Sequence, residues 1–337
     1  MTDTPAFGVI GLGVIGRQHV QRLTTPGAPG RLVAVADQHT GTAAAVAAEY
    51  GAEACPGAAA LLSRPDVDAV VVAVPSGLHA EVAVAALDAG KHVLLEKPIE
   101  VTVAAADEIL AAERRSGRVL SVASQRRFAQ ENQYLKQVVT EGRLGRITSA
   151  TVEVALWRTQ EYYDSGAWRG TWALDGGGAL MNQGVHLVDL ALWLLGDVAE
   201  VYAHTGLLAH EGIEVEDTVT VTARLRSGAL MTFLASTSAY GDLPIRMSVM
   251  GSRGSVVTES ERIVRFRTTA EEALPAFAPV DQQLAQLHDF VAAVRGERAP
   301  LVTAAQARAA VAFIEAVYES GRTGRPVVPA PAPAPVR

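Results

Sequence analysis

Cysteine is nearly absent: Cys55 is the only one in the chain. That excludes an intramolecular disulfide framework and a cysteine-rich metal site, and leaves Cys55 as small buried filler. Positive charge is not in excess. Lys and Arg total 29 against 36 Asp and Glu, giving a formal net charge of −7 and a pI near 5.7. Neither nucleic acid nor an anionic membrane surface is therefore an expected partner. Uncharged apolar runs stay short of the roughly 18 residues of a membrane span. Met1–Ala6 holds an acidic residue and no apolar core, unlike a secretory leader. No dense His/Cys set offers zinc ligands, so no metal is expected, and no internal repeat is visible. What remains is an ordinary globular composition, 49% hydrophobic and 19% charged over 337 residues. That is long enough for two domains, and a soluble cytoplasmic protein is expected.

What is present begins at Phe7–Ile10, an apolar run that reads as a buried parallel strand. It leads into Gly11, Gly13 and Gly16, spaced G-x-G-x-x-G, and then into a helix-like segment from Val14 and Ile15 to Leu23. This order suits a dinucleotide's pyrophosphate. The first glycine permits the turn, the second lets backbone approach the phosphates, and the third lets helix and strand pack. The helix N-terminus faces the anion. A second apolar run, Leu32–Ala36, ends in Asp37, about 20 residues beyond the last glycine, where a carboxylate accepts from ribose hydroxyls. It also repels a 2′-phosphate, and no Arg or Lys follows in Gln38-His39-Thr40. NAD is thus expected, with NADP disfavoured.

Apolar strands and helices alternate from Phe7 to about Ser124, including Ala69–Val74, His92–Leu95 and Val119–Ala123. They describe an N-terminal doubly wound parallel sheet, a Rossmann domain, whose ligand lies beyond the C-terminal strand ends. Gly11, Asp37, Pro75 and Glu96 all fall at such ends. After Phe128 the strands lengthen and alternate, interrupted by a long helix over about Ala179–Leu195. Arg226-Ser227-Gly228 gives a hairpin signal. The expectation is an α+β domain with a large, mainly antiparallel open sheet. The division expected is 1–125, 126–328 and a disordered Pro/Ala tail at 329–337. Two C-terminal helices, about Gln282–Val294 and Ala304–Ser320, either pack back on the first domain or cover the sheet.

Two clusters can carry chemistry. Glu96-Lys97-Pro98 closes a strand at the expected crevice, where an amine can hydrogen-bond a hydroxyl and move its proton. Glu96 would hold the lysine, and Pro98 fixes the backbone. The second runs from Gly176-Gly177-Gly178 to Asp189. Three glycines would free a helix N-terminus for a ligand. Asn182 and His186, four apart, would share a helical face, and Asp189 could fix the tautomer of His186.

These stretches, with Pro75-Ser76-Gly77-Leu78-His79 and Trp193-Leu194-Leu195-Gly196, carry a resemblance spanning nearly the whole chain. The sequence resembles the glucose–fructose oxidoreductase, inositol dehydrogenase and rhizopine-catabolism (Gfo/Idh/MocA) family of NAD(P)-dependent oxidoreductases. The resemblance implies an open C-terminal sheet that mediates homodimers or homotetramers. It matches Lys97 to the family's active-site lysine and His186 to its usual proton acceptor. Asn182 stands where members often carry Asp, and reads here as a substrate hydrogen-bonding group. The cofactor set is then Gly11, Gly13, Val14, Ile15, Gly16, Asp37, Pro75, Ser76, His79, Glu96 and Lys97. For substrate, Arg126 and Arg127 follow the last Rossmann strand, and Tyr163, Trp168 and Arg169 precede the triple glycine. An aromatic beside arginine suits a sugar face and a carboxylate or phosphate. The function expected is hydride transfer between a sugar, sugar-acid or polyol carbon and the nicotinamide. The alternatives are an NAD-dependent glycosidase working by transient oxidation and elimination, and a non-catalytic NAD-binding sensor.

Overall fold

The computed structural model describes residues 4–270 and 273–332. The chain begins β1 (Ala6–Ile10), α1 (Val14–Thr24), β2 (Arg31–Ala36), α2 (Thr40–Tyr50), β3 (Glu53–Cys55), α3 (Ala58–Leu62), β4 (Ala69–Val72), α4 (His79–Asp88), β5 (His92–Leu95), α5 (Val103–Ser116) and β6 (Leu120–Val122). These strands form a parallel sheet in the order β3-β2-β1-β4-β5-β6. Strands β1, β4, β5 and β6 are buried along their whole length, which is why they read as apolar runs broken only by His92 and Ser121.

The second part adds α6 (Gln130–Thr140), β7 (Ile147–Ala155), α7 (Gln160–Asp164), a π-helical turn (Ala179–Gly184), α8 (Val185–Leu195), β8 (Val198–Gly206), β9 (Thr218–Leu225), β10 (Leu230–Ser236), β11 (Arg246–Gly251), β12 (Gly254–Glu259), β13 (Arg262–Thr268), α9 (Gln282–Val294) and α10 (Ala304–Thr323). Its sheet is ordered β13-β12-β11-β7-β10-β9-β8. Neighbours run antiparallel except β7 and β10, which are parallel. Burial alternates along β9, with Val219, Val221 and Ala223 inside and Thr220, Thr222 and Arg224 outside. One face is thus packed and the other open.

The chain divides into two compact units. The first holds residues up to Glu100, Ala104–Ala123 and Gln283–Ala307; the second holds Val101–Val103, Ser124–Gln282 and the chain from Arg308 on. Helix α9 is part of the first unit. Leu287, Phe290, Val291 and Val294 join the core of Phe7, Val9, Val35 and Val71, and Phe290 meets Phe7 edge-on at 6.0 Å. In the second unit Phe313 of α10 packs against Phe233 of β10. The Pro/Ala tail lies outside the described residues from 333 on. Before that, Val327 pairs with Val201 through two backbone bonds of 2.9 Å, and Arg308 donates to the Ala330 carbonyl at 3.0 Å. No helix among the described residues is long and apolar enough to cross a membrane.

Candidate functional site

In the first unit the three loop glycines differ in what surrounds them. Gly11 has φ +90°, and a Cβ there would lie 2.5 Å from the Ala73 carbonyl oxygen. At Gly16 a Cβ would lie 1.8 Å from the Gly11 oxygen, whereas at Gly13 it would meet nothing within 4 Å. The protein's own packing therefore requires glycine at 11 and 16. At 13 the missing side chain leaves open space, as a backbone approached by a pyrophosphate needs. Helix α1 starts from Gly13 with no side-chain cap, and Val14 and Ile15 are 71% and 39% exposed there. Asp37 Oδ2 accepts from Leu12 N at 2.8 Å and Oδ1 from His39 N at 2.9 Å. The carboxylate is thereby fixed to the glycine loop, and its remaining lone pairs can still take ribose hydroxyls. These residues fit a dinucleotide. Gly13→Ala should leave the melting temperature unchanged and weaken NAD binding about tenfold. Gly16→Ala should cost about 1–3 kcal/mol of stability by overpacking. Thermal denaturation with NAD titration separates the two.

Lys97 is half-buried just past β5, and its peptide bond to Pro98 is cis. Glu96, read as a cofactor contact and lysine holder, places Oε1 2.7 Å from His19 Nε2 on α1, and its Oε2 accepts from Lys97 N at 3.3 Å. It ties α1 to the strand end. Burial alone would raise its carboxyl, but the His19 contact and the Lys97 charge hold it below the ordinary carboxylate range. His79, also read as a cofactor contact, is buried. Its Nδ1 lies 2.8 Å from the Pro98 carbonyl and its Nε2 3.0 Å from that of Val74. It joins the loops after β4 and β5, and burial lowers its pKa. Pro75 and Ser76 are half-buried where a short 3₁₀ turn opens.

In the second unit the triple glycine does not free a helix end for a ligand. A Cβ at Gly176 would meet Val101, one at Gly177 the Tyr318 hydroxyl at 2.1 Å, and one at Gly178 the Glu216 carbonyl oxygen at 1.8 Å. The glycines admit protein. Glu216 accepts from Gly178 N at 2.9 Å, Leu180 N at 2.8 Å and the Tyr318 hydroxyl at 3.2 Å. Tyr318 Oη in turn accepts from Met181 N at 3.3 Å. Glu216 and Tyr318, both missed by sequence reasoning, thus fix the π turn. Burial pushes the Glu216 carboxyl up to about 7, against the donors that favour its charged form. A raised folded-state value means the carboxyl supports folding fully at and below the ordinary glutamate range and loses that support as pH climbs through about 7. From about pH 4 to pH 8 the wild type should lose about 3 kcal/mol relative to Glu216→Gln. Parallel thermal-stability curves for the two proteins would remove this assignment.

The expected long helix is a π turn followed by α8, with Asn182 in the π turn and His186 in the first turn of α8. Asn182, Gln183 and His186 are half-buried within an otherwise buried stretch. The Asn182 amide donates to Asp175 Oδ1 at 2.5 Å and accepts from Gln183 Nε2 at 3.1 Å. Asp189, expected to fix His186, turns both oxygens to Arg127, at 2.8 and 2.6 Å. Arg127 is only 1% exposed, so it is a structural ion pair and not a surface for substrate. Arg126 pairs with Glu261 at 2.6 Å. Tyr163 also faces inward, with its hydroxyl 2.8 Å from Thr237 Oγ1. Trp168 and Arg169 are half-buried and stack, the guanidinium carbon 4.5 Å from the ring. Tyr162 and Arg158, missed in sequence, join them. Gln183 Nε2 donates to the Tyr162 hydroxyl at 3.2 Å, and Arg158 Nη2 donates to Gln183 Oε1 at 2.9 Å. The only sequence sign of Arg158 was its place beyond the strand that becomes β7.

A family model described as "Oxidoreductase family, NAD-binding Rossmann fold" matches residues 6–124, and one described as "GFO/IDH/MocA C-terminal domain" matches 132–257. The chain is 33% identical to inositol 2-dehydrogenase 2 of Saccharopolyspora erythraea, over 98% of each. It is 29% identical to 1,5-anhydro-D-fructose reductase of Ensifer adhaerens, over 95% of this chain and 97% of that one. The solved WlbA dehydrogenase from Bordetella pertussis, in complex with NADH and UDP-GlcNAcA, superposes with TM-score 0.89 at 33% identity, covering 98% of this chain and 100% of that chain. With an open pyrophosphate cradle at Gly13, and with similarity along its full length, the chain belongs to the GFO/IDH/MocA oxidoreductase family.

Proposed function

We propose that this chain is an NAD-dependent dehydrogenase moving a hydride between a hydroxyl-bearing carbon of a sugar, sugar acid or polyol and the nicotinamide. The observation carrying it is the open space at Gly13 beside the Asp37–Leu12 bond. Loops 11–16 and 37–39 would hold NAD, whose nicotinamide supplies the hydride acceptor. Lys97 and His186 manage the hydroxyl proton, one as acid and hydrogen-bond donor, the other as acceptor. Asn182, Trp168 and Arg169 contact the substrate; Arg127, Tyr163, Glu96 and His79 support the surrounding backbone. The open face of the second sheet, where Leu230 is 55% exposed and Tyr202 37%, is the proposed homo-oligomer interface. The test is incubation with NAD or NADP and a panel of inositols, aldoses, uronates and glycosides, following NADH absorbance. NADH should accumulate with NAD preferred about tenfold or more, because Asp37 repels a 2′-phosphate. Equal use of NADP would overturn the Asp37 argument, and glycoside hydrolysis without NADH would replace the dehydrogenase.

A further inference from the structure

In the second unit Arg126 is matched to Glu261 and Arg127 to Asp189. Arg158 and Arg169 are different. Both are half-buried, and no ion pair among the described residues includes either. Arg158 donates to the Trp157 carbonyl and Gln183 Oε1, each at 2.9 Å. The Arg169 guanidinium makes ring contacts only, 4.3 Å from Tyr162 and 4.5 Å from Trp168. Arg158 lies 5.4 Å from the same Tyr162 ring. The Arg158 backbone is held on both sides, by Arg158 N donating to Thr237 O at 2.9 Å and by His210 Nε2 at 2.8 Å from Arg158 O. Asp175 also acts on Tyr162, but its oxygens accept from Asn182 Nδ2 and Gly170 N. Of the charged groups acting on Tyr162, Arg158 and Arg169 are cations and Asp175 a carboxylate, so the charge about that ring is net positive. Partly desolvated guanidinium forks with open donors favour a bidentate oxyanion.

We propose that Arg158 and Arg169 form an anion-binding subsite against Tyr162, next to Gln183, so that the sugar accepted carries a carboxylate or a phosphate. This rests on the dehydrogenase reading and narrows its substrate to acidic sugars. Gln183 links the subsite to Asn182 through its 3.1 Å bond, so an anchored anion would set where the sugar ring lies along the π turn.

The test is calorimetric binding of glucuronate, glucose 6-phosphate and glucose to the NADH-loaded protein, wild type, Arg158→Gln and Arg169→Gln. At least one anion should bind the wild type roughly tenfold or more tighter than glucose, with raised salt eroding that preference. Which anion does so separates carboxylate from phosphate. Both variants should collapse the ratio, with near-UV circular dichroism confirming their fold. Glucose equal to both anions, no binding of either anion, or a preference surviving salt and both substitutions overturns the subsite. Binding is read without turnover, so failure to form NADH would overturn the dehydrogenase reading and leave the anion preference measurable by itself.

Discussion

Replacing Lys97 or His186 by alanine should lower kcat/KM by roughly 10²–10⁴-fold, the usual worth of a positioned acid or base, while NAD still binds. Lys97 follows β5 immediately, and the buried Glu96 ahead of it is anchored to α1 through His19. The lysine therefore stands on fixed backbone, and truncating its side chain removes an amine without loosening the loop. His186 sits in the first turn of α8, behind a π turn whose amides are held by Glu216 and Tyr318. Its imidazole is likewise carried on anchored main chain. Neither side chain belongs to the Gly11–Gly16 loop or to Asp37, so NAD affinity should change little. Steady-state rates with NAD titration calorimetry check this. Full activity in both variants would leave the proton without its proposed handlers, and loss of NAD binding would assign them to the cofactor instead.

Why the first unit was legible follows from its burial. Parallel strands covered on both faces are apolar over most of their length, so β1, β4 and β5 announced themselves. Strand β3 is only Glu53–Cys55, too short for any period. Strand β8 alternates Glu200, Tyr202 and His204 on its open side with buried Val201 and Ala203, a period-2 pattern that sequence reasoning missed. Helix α9 was visible as a helix, but its docking on Phe7 depends on a contact nearly the full chain length away.

The second unit's site was legible as a segment, but the packing around it was not. Gly176–Gly178 looked like room for a ligand because the sequence does not show that Val101, Glu216 and Tyr318 fill it. The π turn has no composition of its own; it arises where Glu216 and Tyr318 capture successive amides. Arg127, Tyr163 and Asp189 were chosen for chemical type, and type does not reveal the burial that turned each of them inward.

That reassignment predicts a large stability effect at Arg127. The guanidinium is 1% exposed and Asp189 4% exposed, and two bonds of 2.8 and 2.6 Å join them. Trp193 covers the guanidinium at 5.4 Å. Removing one partner leaves the other charge buried and unpaired, so Arg127→Met should cost about 3–5 kcal/mol. In a unit of this size that lowers the melting temperature by on the order of 10 °C. Arg127→Met with Asp189→Leu removes both charges and should recover much of the loss, because a buried pair replaced by apolar side chains is often close to neutral. A substrate-binding arginine would behave otherwise: Arg127→Met would raise KM at unchanged melting temperature, and adding Asp189→Leu would rescue nothing. Thermal denaturation of the single and double variants, beside KM measured well below the transition, decides between the two.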